Sequence, residues 1–161
     1  MYKEDTIAAI ATAMGEGGIG IIRISGSESI QIGNKIFKGP GQKNLKDSPS
    51  HMMQYGHIIN EAGFIIDEVL AVVMKGPRSY TTEDVVEIHC HGSMIALREI
   101  LALILRNGAR MAEKGEFTKR AFLNGRLDLV QAEAVMDVIK SHSEMGLSQA
   151  MQQLEGKLSK Y

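Results

Sequence analysis

The sequence holds one cysteine, Cys90, in 161 residues. A lone thiol excludes an intrachain disulfide and a four-cysteine zinc site. An excess of one charge sign is missing too: 18 Lys and Arg stand against 19 Asp and Glu, for a formal net charge of -1. That balance excludes a surface coated for nucleic acid, but not a local basic patch. No apolar run is long enough and free enough of charge to cross a bilayer, and Arg98 interrupts the longest. Met1-Tyr2-Lys3-Glu4-Asp5-Thr6 carries acids instead of the apolar stretch of a signal peptide, so the expected address is cytoplasmic. Repeats and low-complexity tracts are absent as well. What remains is ordinary globular composition, 44% hydrophobic and 23% charged. A chain of this length buries roughly two-thirds of its unfolded surface and folds without disulfides.

Apolar periodicity separates a strand-rich first half from a helical second half. Ile7 to Thr12 and Ile19 to Ile24 are β-branched runs on either side of Gly15-Glu16-Gly17-Gly18, which predicts two strands and a turn. Ser25-Gly26-Ser27-Glu28 has capping-box spacing and predicts a helix, capped by Ser25, that runs to about Phe37. Lys38 to Ser50 is polar and rich in breakers, hence a surface loop. Met53 to Ile59 and Phe64 to Met74, joined by Asn60-Glu61-Ala62-Gly63, read as a hairpin that Gly76-Pro77 ends. Asp84 to Cys90 is another strand, and Ser93 to Arg106 a helix closed by Asn107-Gly108. After Gly115 comes a short helix, Glu116 to Leu123, stopped at Asn124-Gly125. Asp128 caps the next one, with Gln131 three residues on. No proline follows, so Gly146 and Gly156 are the only weak points expected in it. Leu147, Met151, Leu154 and Leu158 form an apolar seam at helical spacing, which needs the earlier part of the same helix, another subunit or further sequence to pack on.

Four constellations bear on chemistry. Gly15-Glu16-Gly17-Gly18-Ile19-Gly20 matches G-x-G-x-x-G, but a dinucleotide site needs a helix to lead out, and Ile21-Ile22-Arg23-Ile24 favours a strand. A Rossmann site is therefore rejected, and no phosphate loop of the G-x-x-x-x-G-K-[ST] kind occurs. In the same strand Ile22 and Ile24 face one way, and Ile21, Arg23 and Ser25 the other. Arg23 is either a solvated arginine or an anchor for a carboxylate or polar ring. Val85-Val86-Glu87-Ile88-His89-Cys90-His91 alternates likewise, placing Val86, Ile88 and Cys90 on a core face and Glu87, His89 and His91 on the opposite one. This second face fits either a metal, with ligands from elsewhere, or a glutamate gripping a heterocyclic amine; Cys90 reads as a small buried hydrophobe. Finally, Arg98, Arg106, Arg110, Lys114, Lys119, Arg120 and Arg126 outnumber Glu99, Glu113 and Glu116. That cluster fits a solvated helical face, an anionic small molecule or a nucleic-acid backbone. Only Phe117 and Phe122 are available for base stacking, at helix-core spacing, so no independent nucleic-acid reader is expected.

Read together, Asp5-Thr6-Ile7-Ala8-Ala9, the glycine block through Ile24-Ser25-Gly26, Ser79-Tyr80-Thr81-Thr82-Glu83-Asp84-Val85-Val86-Glu87-Ile88-His89-Cys90-His91-Gly92 and Gly115-Glu116-Phe117-Thr118-Lys119-Arg120-Ala121-Phe122-Leu123-Asn124-Gly125-Arg126-Leu127-Asp128-Leu129 resemble the N-terminal region of the MnmE/TrmE tRNA-modification GTPases. The likeness runs from Asp5 to about Ile139. The departures are Ala13-Met14 in place of a proline-containing turn, Ser93 after His91-Gly92 instead of a second glycine, and Met111 and Lys114 where prolines are common.

The resemblance implies an α+β fold, a mixed or antiparallel sheet with helices, similar to the folate-binding domain of the glycine-cleavage T-protein group. It implies a tetrahydrofolate-binding and dimerisation domain over residues 1–118 and the truncated start of a helical domain over 119–161. The implied ligand is 5-formyltetrahydrofolate or another one-carbon tetrahydrofolate, contacted by Arg23, Glu87 and Arg126. Glu87 would grip the pterin and a cation the glutamate tail. The implied partners are a second copy, the FAD-dependent MnmG and, in the full-length complex, tRNA whose wobble uridine gains an aminomethyl-type group. Mg²⁺, K⁺ and GTP belong to a GTPase domain that this sequence lacks, so no catalytic residue is assigned to it. Two other readings of the residues stand beside this one: a small metal-dependent hydrolase using Glu87, His89 and His91, and a pure oligomerisation scaffold. The folate reading requires Arg23 and Glu87 to line one pocket.

Overall fold

Alternating Ile and Val side chains give the first half a sheet with one apolar face. The computed structural model describes residues 5–156. Its seven strands are β1 (Ile7–Ile10), β2 (Gly17–Ser25), β3 (Phe37–Lys38), β4 (Gln54–Ile59), β5 (Ile65–Met74), β6 (Val85–Gly92) and β7 (Arg110–Met111). They form one sheet in the order β3-β4-β5-β6-β2-β1-β7. Every neighbouring pair is antiparallel except β1 and β7, which run parallel. Five α-helices accompany them: α1 (Ser29–Ile36), α2 (Met94–Arg106), α3 (Glu116–Leu123), α4 (Leu129–Lys140) and α5 (Glu144–Leu154). This is the expected α+β class with a mixed sheet. The chain forms two compact units, one of residues up to Ser79 together with Glu83–Glu113, the other of Tyr80–Thr82 with residues from Lys114 onward.

In the sheet unit, Ile22, Ile24, Val86, Ile88, Val69, Ala71 and Val73 project into a core shared with Ile32 and Ile36 of α1 and Leu97, Ile100, Leu101 and Ile104 of α2. The spacings of three and four in α2 put its apolar residues on one stripe. Each such side chain contributes about 1.5–3 kcal/mol by leaving water. Ser93 caps α2, its Oγ accepting from the Ala96 N–H. The expected loop from Lys38 to Ser50 contains two short 3-10 turns, Pro40–Gln42 and Leu45–Asp47. Leu45 is fully buried, so the loop is pinned to the core and does not merely ride on the surface.

The expected cap of α1 is corrected. Ser25 still belongs to β2, paired with Ile7 and Val85 on either side, and its Oγ donates to Glu83. Gly26, at φ +139, turns the chain there, because a Cβ at that position would lie 2.6 Å from Thr6 Cα. The helix begins only at Ser29, with Glu28 at the N-cap and no side-chain cap bond. Thr6 Oγ1 accepts the Glu28 N–H instead, and Ser29 Oγ donates to the Asp84 carbonyl. Tertiary partners thus replace the local capping box.

In the helical unit the capping box at Asp128 and Gln131 forms in full at the start of α4. The single helix expected beyond it is broken, however, at Ser141 to Ser143 and not at Gly146. Ser141 Oγ donates to the Val138 carbonyl and its backbone turns extended. Ser143 then caps α5 by accepting from the Gly146 N–H. Serine side chains that compete for backbone groups end a helix without any proline. Gly156, at φ +83, follows the end of α5. Of the apolar seam, Leu147 and Met151 are exposed and Leu154 is half-buried, whereas Leu158 lies outside the described residues.

Candidate ligand-binding face

Strand register brings the sheet unit's polar side chains together. In β2 and β6, Arg23 stands directly opposite Glu87, and Ile21 opposite His89. Since side chains alternate, these residues share the face that turns away from the buried Ile22, Ile24, Val86 and Ile88. Arg23 Nε donates to Glu87 Oε2 at 3.0 Å, and His89 Nε2 lies 3.1 Å from Glu87 Oε1. The Glu87 side chain is 16% exposed and that of Arg23 27%, enough for a ligand to reach both. The two residues that the folate reading requires in one place are therefore a cross-strand ion pair.

Beside them β4 and β5 continue the face. Tyr55 is opposite Leu70, and both remain exposed. A cleft of about 400 Å³ is lined by Gly18, Ile19, Tyr55, Glu68, Leu70, His89 and His91, among others. A hydrogen bond to Glu68 holds the Tyr55 hydroxyl above its usual range. His91, at the rim, turns to Asp67: its backbone N–H donates to Oδ2 at 2.9 Å and its ring Nδ1 lies 2.7 Å from Oδ1. That hydrogen bond, and then the carboxylate's charge, raise the imidazole above the ordinary histidine range.

The glycine block builds the end of this face without binding a dinucleotide. Gly17 pairs with Gly92 and Gly20 with Cys90, so β2 carries one extra residue, a β-bulge. A Cβ on Gly92 would lie 2.1 Å from the Gly17 carbonyl oxygen. Close approach of two strands explains that glycine. Cys90 is buried as expected, its Sγ donating to the Gly20 carbonyl, and burial pushes its thiol up to about 11.

Arg126 belongs to the helical unit. Its guanidinium carbon sits 4.9 Å from the centre of the Tyr80 ring, a cation-π contact. Both residues line a cavity of about 450 Å³ with Leu127, Gln131, Val135 and Leu154. The Tyr80 hydroxyl and Thr118 Oγ1 are 2.9 Å apart.

Three of the seven cations in the basic cluster read from the sequence are matched by carboxylates. Arg106 pairs with Glu61 and Arg110 with Asp5. Arg120 is fully buried against Glu116, one helical turn away. The metal reading divides as well, because Glu87 engages Arg23 and His89 while His91 engages Asp67. Among the described residues no group of three His, Cys, Asp or Glu side chains is arranged to hold an ion. Sequence reasoning missed Asp67 and Tyr80 as partners. Asp67 carries no local signal, since its contact with His91 arises from packing across β5 and β6.

Comparison with known proteins agrees with these motifs. Residues 6–126 match the family model described as "GTP-binding protein TrmE N-terminus". The chain is 54% identical over 161 residues to the tRNA modification GTPase MnmE of Geobacillus thermodenitrificans, covering 99% of this chain and 35% of that protein. It is 60% identical to the protein of the same name from Alkaliphilus oremlandii, with the same coverage. Against the Bacillus subtilis protein it is 55% identical over 156 residues, 96% of this chain and 34% of the relative. The chain thus spans about a third of the length of the curated relatives it matches.

Proposed function

The chain belongs to the family of the TrmE GTP-binding protein N-terminus, and from that membership we propose that it is the tetrahydrofolate-binding and homodimerising module of a tRNA-modification GTPase. The observation that carries the reading is the half-buried Arg23–Glu87 pair, bonded to His89, which lines an open cleft. A pterin presents an amine and a ring amide on one edge, and an ionised carboxylate accepts from both. Glu87 supplies that carboxylate, and Arg23 offsets its charge. Tyr55, Leu70 and Ile19 supply exposed apolar surface, suited to the flat body of a reduced folate or to a second copy. Arg126, on Tyr80, is the proposed third contact, for an anionic tail. Arg23 and Glu87 of the sheet unit carry the pterin in this reading, and α4 and α5 belong to a helical domain.

The one-carbon unit of 5-formyltetrahydrofolate, or of a related form, is destined for the wobble uridine of tRNA in concert with the FAD-dependent MnmG. That work is cytoplasmic in this proposal. GTP hydrolysis with Mg²⁺ and K⁺ belongs to the length of the relatives that this chain does not span. No helix of the described residues is long and apolar enough to cross a membrane.

Thermal denaturation with added 5-formyltetrahydrofolate tests the reading. At a hundredfold excess over Kd, binding adds about 2.7 kcal/mol, a Tm rise of roughly 5–10 °C for a chain of this size. Glu87→Ala is expected to abolish the rise while the unliganded fold survives. No rise for the wild type at millimolar ligand defeats the proposal.

A further inference from the structure

We infer that His89 is a positioning residue, which fixes the carboxylate of Glu87 for ligand binding. The inference rests on the folate reading of Glu87 and adds a residue to it. Glu87 is gripped at both oxygens: Arg23 Nε donates to Oε2 at 3.0 Å from β2, and His89 Nε2 lies 3.1 Å from Oε1, two residues along β6. Two donors on opposite oxygens define the plane of a carboxylate, where one would leave it free to rotate about its terminal torsion. Each oxygen keeps a second lone pair, so both remain able to accept from a ligand. An ionised carboxylate has no hydrogen to give, so His89 Nε2 carries the proton. His89 also lines the cleft beside Tyr55 and Leu70, and no hydrogen bond among the described residues engages its Nδ1. Among the described residues its one hydrogen bond is therefore to Glu87, and its ring lines the cleft.

Three proteins and one ligand decide the matter. Binding of 5-formyltetrahydrofolate is measured by calorimetry for the wild type, His89→Gln and His89→Phe, with the unliganded Tm of each. Glutamine retains a donor near the position of Nε2, whereas phenylalanine keeps the ring's bulk and has none. His89→Phe is expected to bind about tenfold more weakly, the scale of one hydrogen bond to a charged group. His89→Gln is expected to stay within about threefold of the wild type, with unliganded Tm unchanged in both. Equal affinity for His89→Phe and wild type overturns the inference, as does equal loss in both variants. If His89→Phe does not fold, imidazole ¹⁵N shifts of the wild type take its place. The proton must then lie on Nε2 and the shift must move when ligand is added; an Nδ1–H tautomer or an unmoved shift overturns the inference. Absence of wild-type binding rejects the folate reading itself, an outcome distinct from these.

Discussion

Gly92→Ala should damage the sheet at a place where a methyl group would ordinarily be harmless. Gly92 ends β6 and pairs with Gly17 beside the β-bulge. The added Cβ would stand 2.1 Å from the Gly17 carbonyl oxygen and 2.6 Å from its carbonyl carbon. An ordinary C···O approach is no closer than roughly 3.3 Å, so the two strands must part by about 1 Å at that point. Both obstacles are backbone, and no side chain can swing aside. The cost belongs at the upper end of overpacking, about 3 kcal/mol, which lowers Tm by roughly 6–12 °C. Gly18→Ala is the control, because a Cβ there meets nothing within 4 Å. Circular-dichroism melts of the two variants and the wild type make the comparison. Gly92→Ala melting within a degree or two of Gly18→Ala would refute the strand-approach account of the glycine block.

Three further outcomes are expected. Cys90, buried and with its thiol pushed up to about 11, should resist iodoacetamide in the native protein near neutral pH and react promptly once urea unfolds it; mass spectrometry counts the adducts. The His91 imidazole is raised by Asp67, so its protonated form favours the fold. Its contribution is complete below the ordinary histidine value of 6.5 and fades as pH rises through the folded value. Melts over a pH series should show that slope and lose it in Asp67→Asn. Asp128→Ala removes the half of the capping box in which its carboxylate accepts the Gln131 N–H and leaves the Asp128 backbone N–H on Gln131, at a cost of about 1 kcal/mol, whereas Asp128→Asn should retain most of the stability; urea denaturation followed at 222 nm distinguishes the two.

Local signals carried a good part of this fold. Alternation placed Ile22, Ile24, Val86 and Ile88 on the core face and Arg23 and Glu87 on the other, because a strand's period of two holds whatever lies beside it. Asp128 with Gln131 was legible because a capping box needs only four neighbouring residues. The same logic misled at Ser25, where ladder pairing with two strands outcompetes a local cap. It misled again after Asp128, where Ser141 and Ser143 redirect the backbone with their own hydroxyls. Contacts set by long-range register left no trace in the sequence. The Asp67–His91 pair, the Arg110–Asp5 pair and the burial of Arg120 are of that kind. A charge sum over the stretch around Arg120 therefore counted as excess three cations, Arg106, Arg110 and Arg120, that the structure pairs with carboxylates.

Amide chemical-shift mapping tests the central proposal most directly. On titrating 5-formyltetrahydrofolate into ¹⁵N-labelled protein, the largest shifts are expected around Arg23 in β2 and from Glu87 to His89 in β6. Shifts centred elsewhere in the sheet unit, or none at saturating ligand, would contradict the assignment of that ion pair as the pterin site.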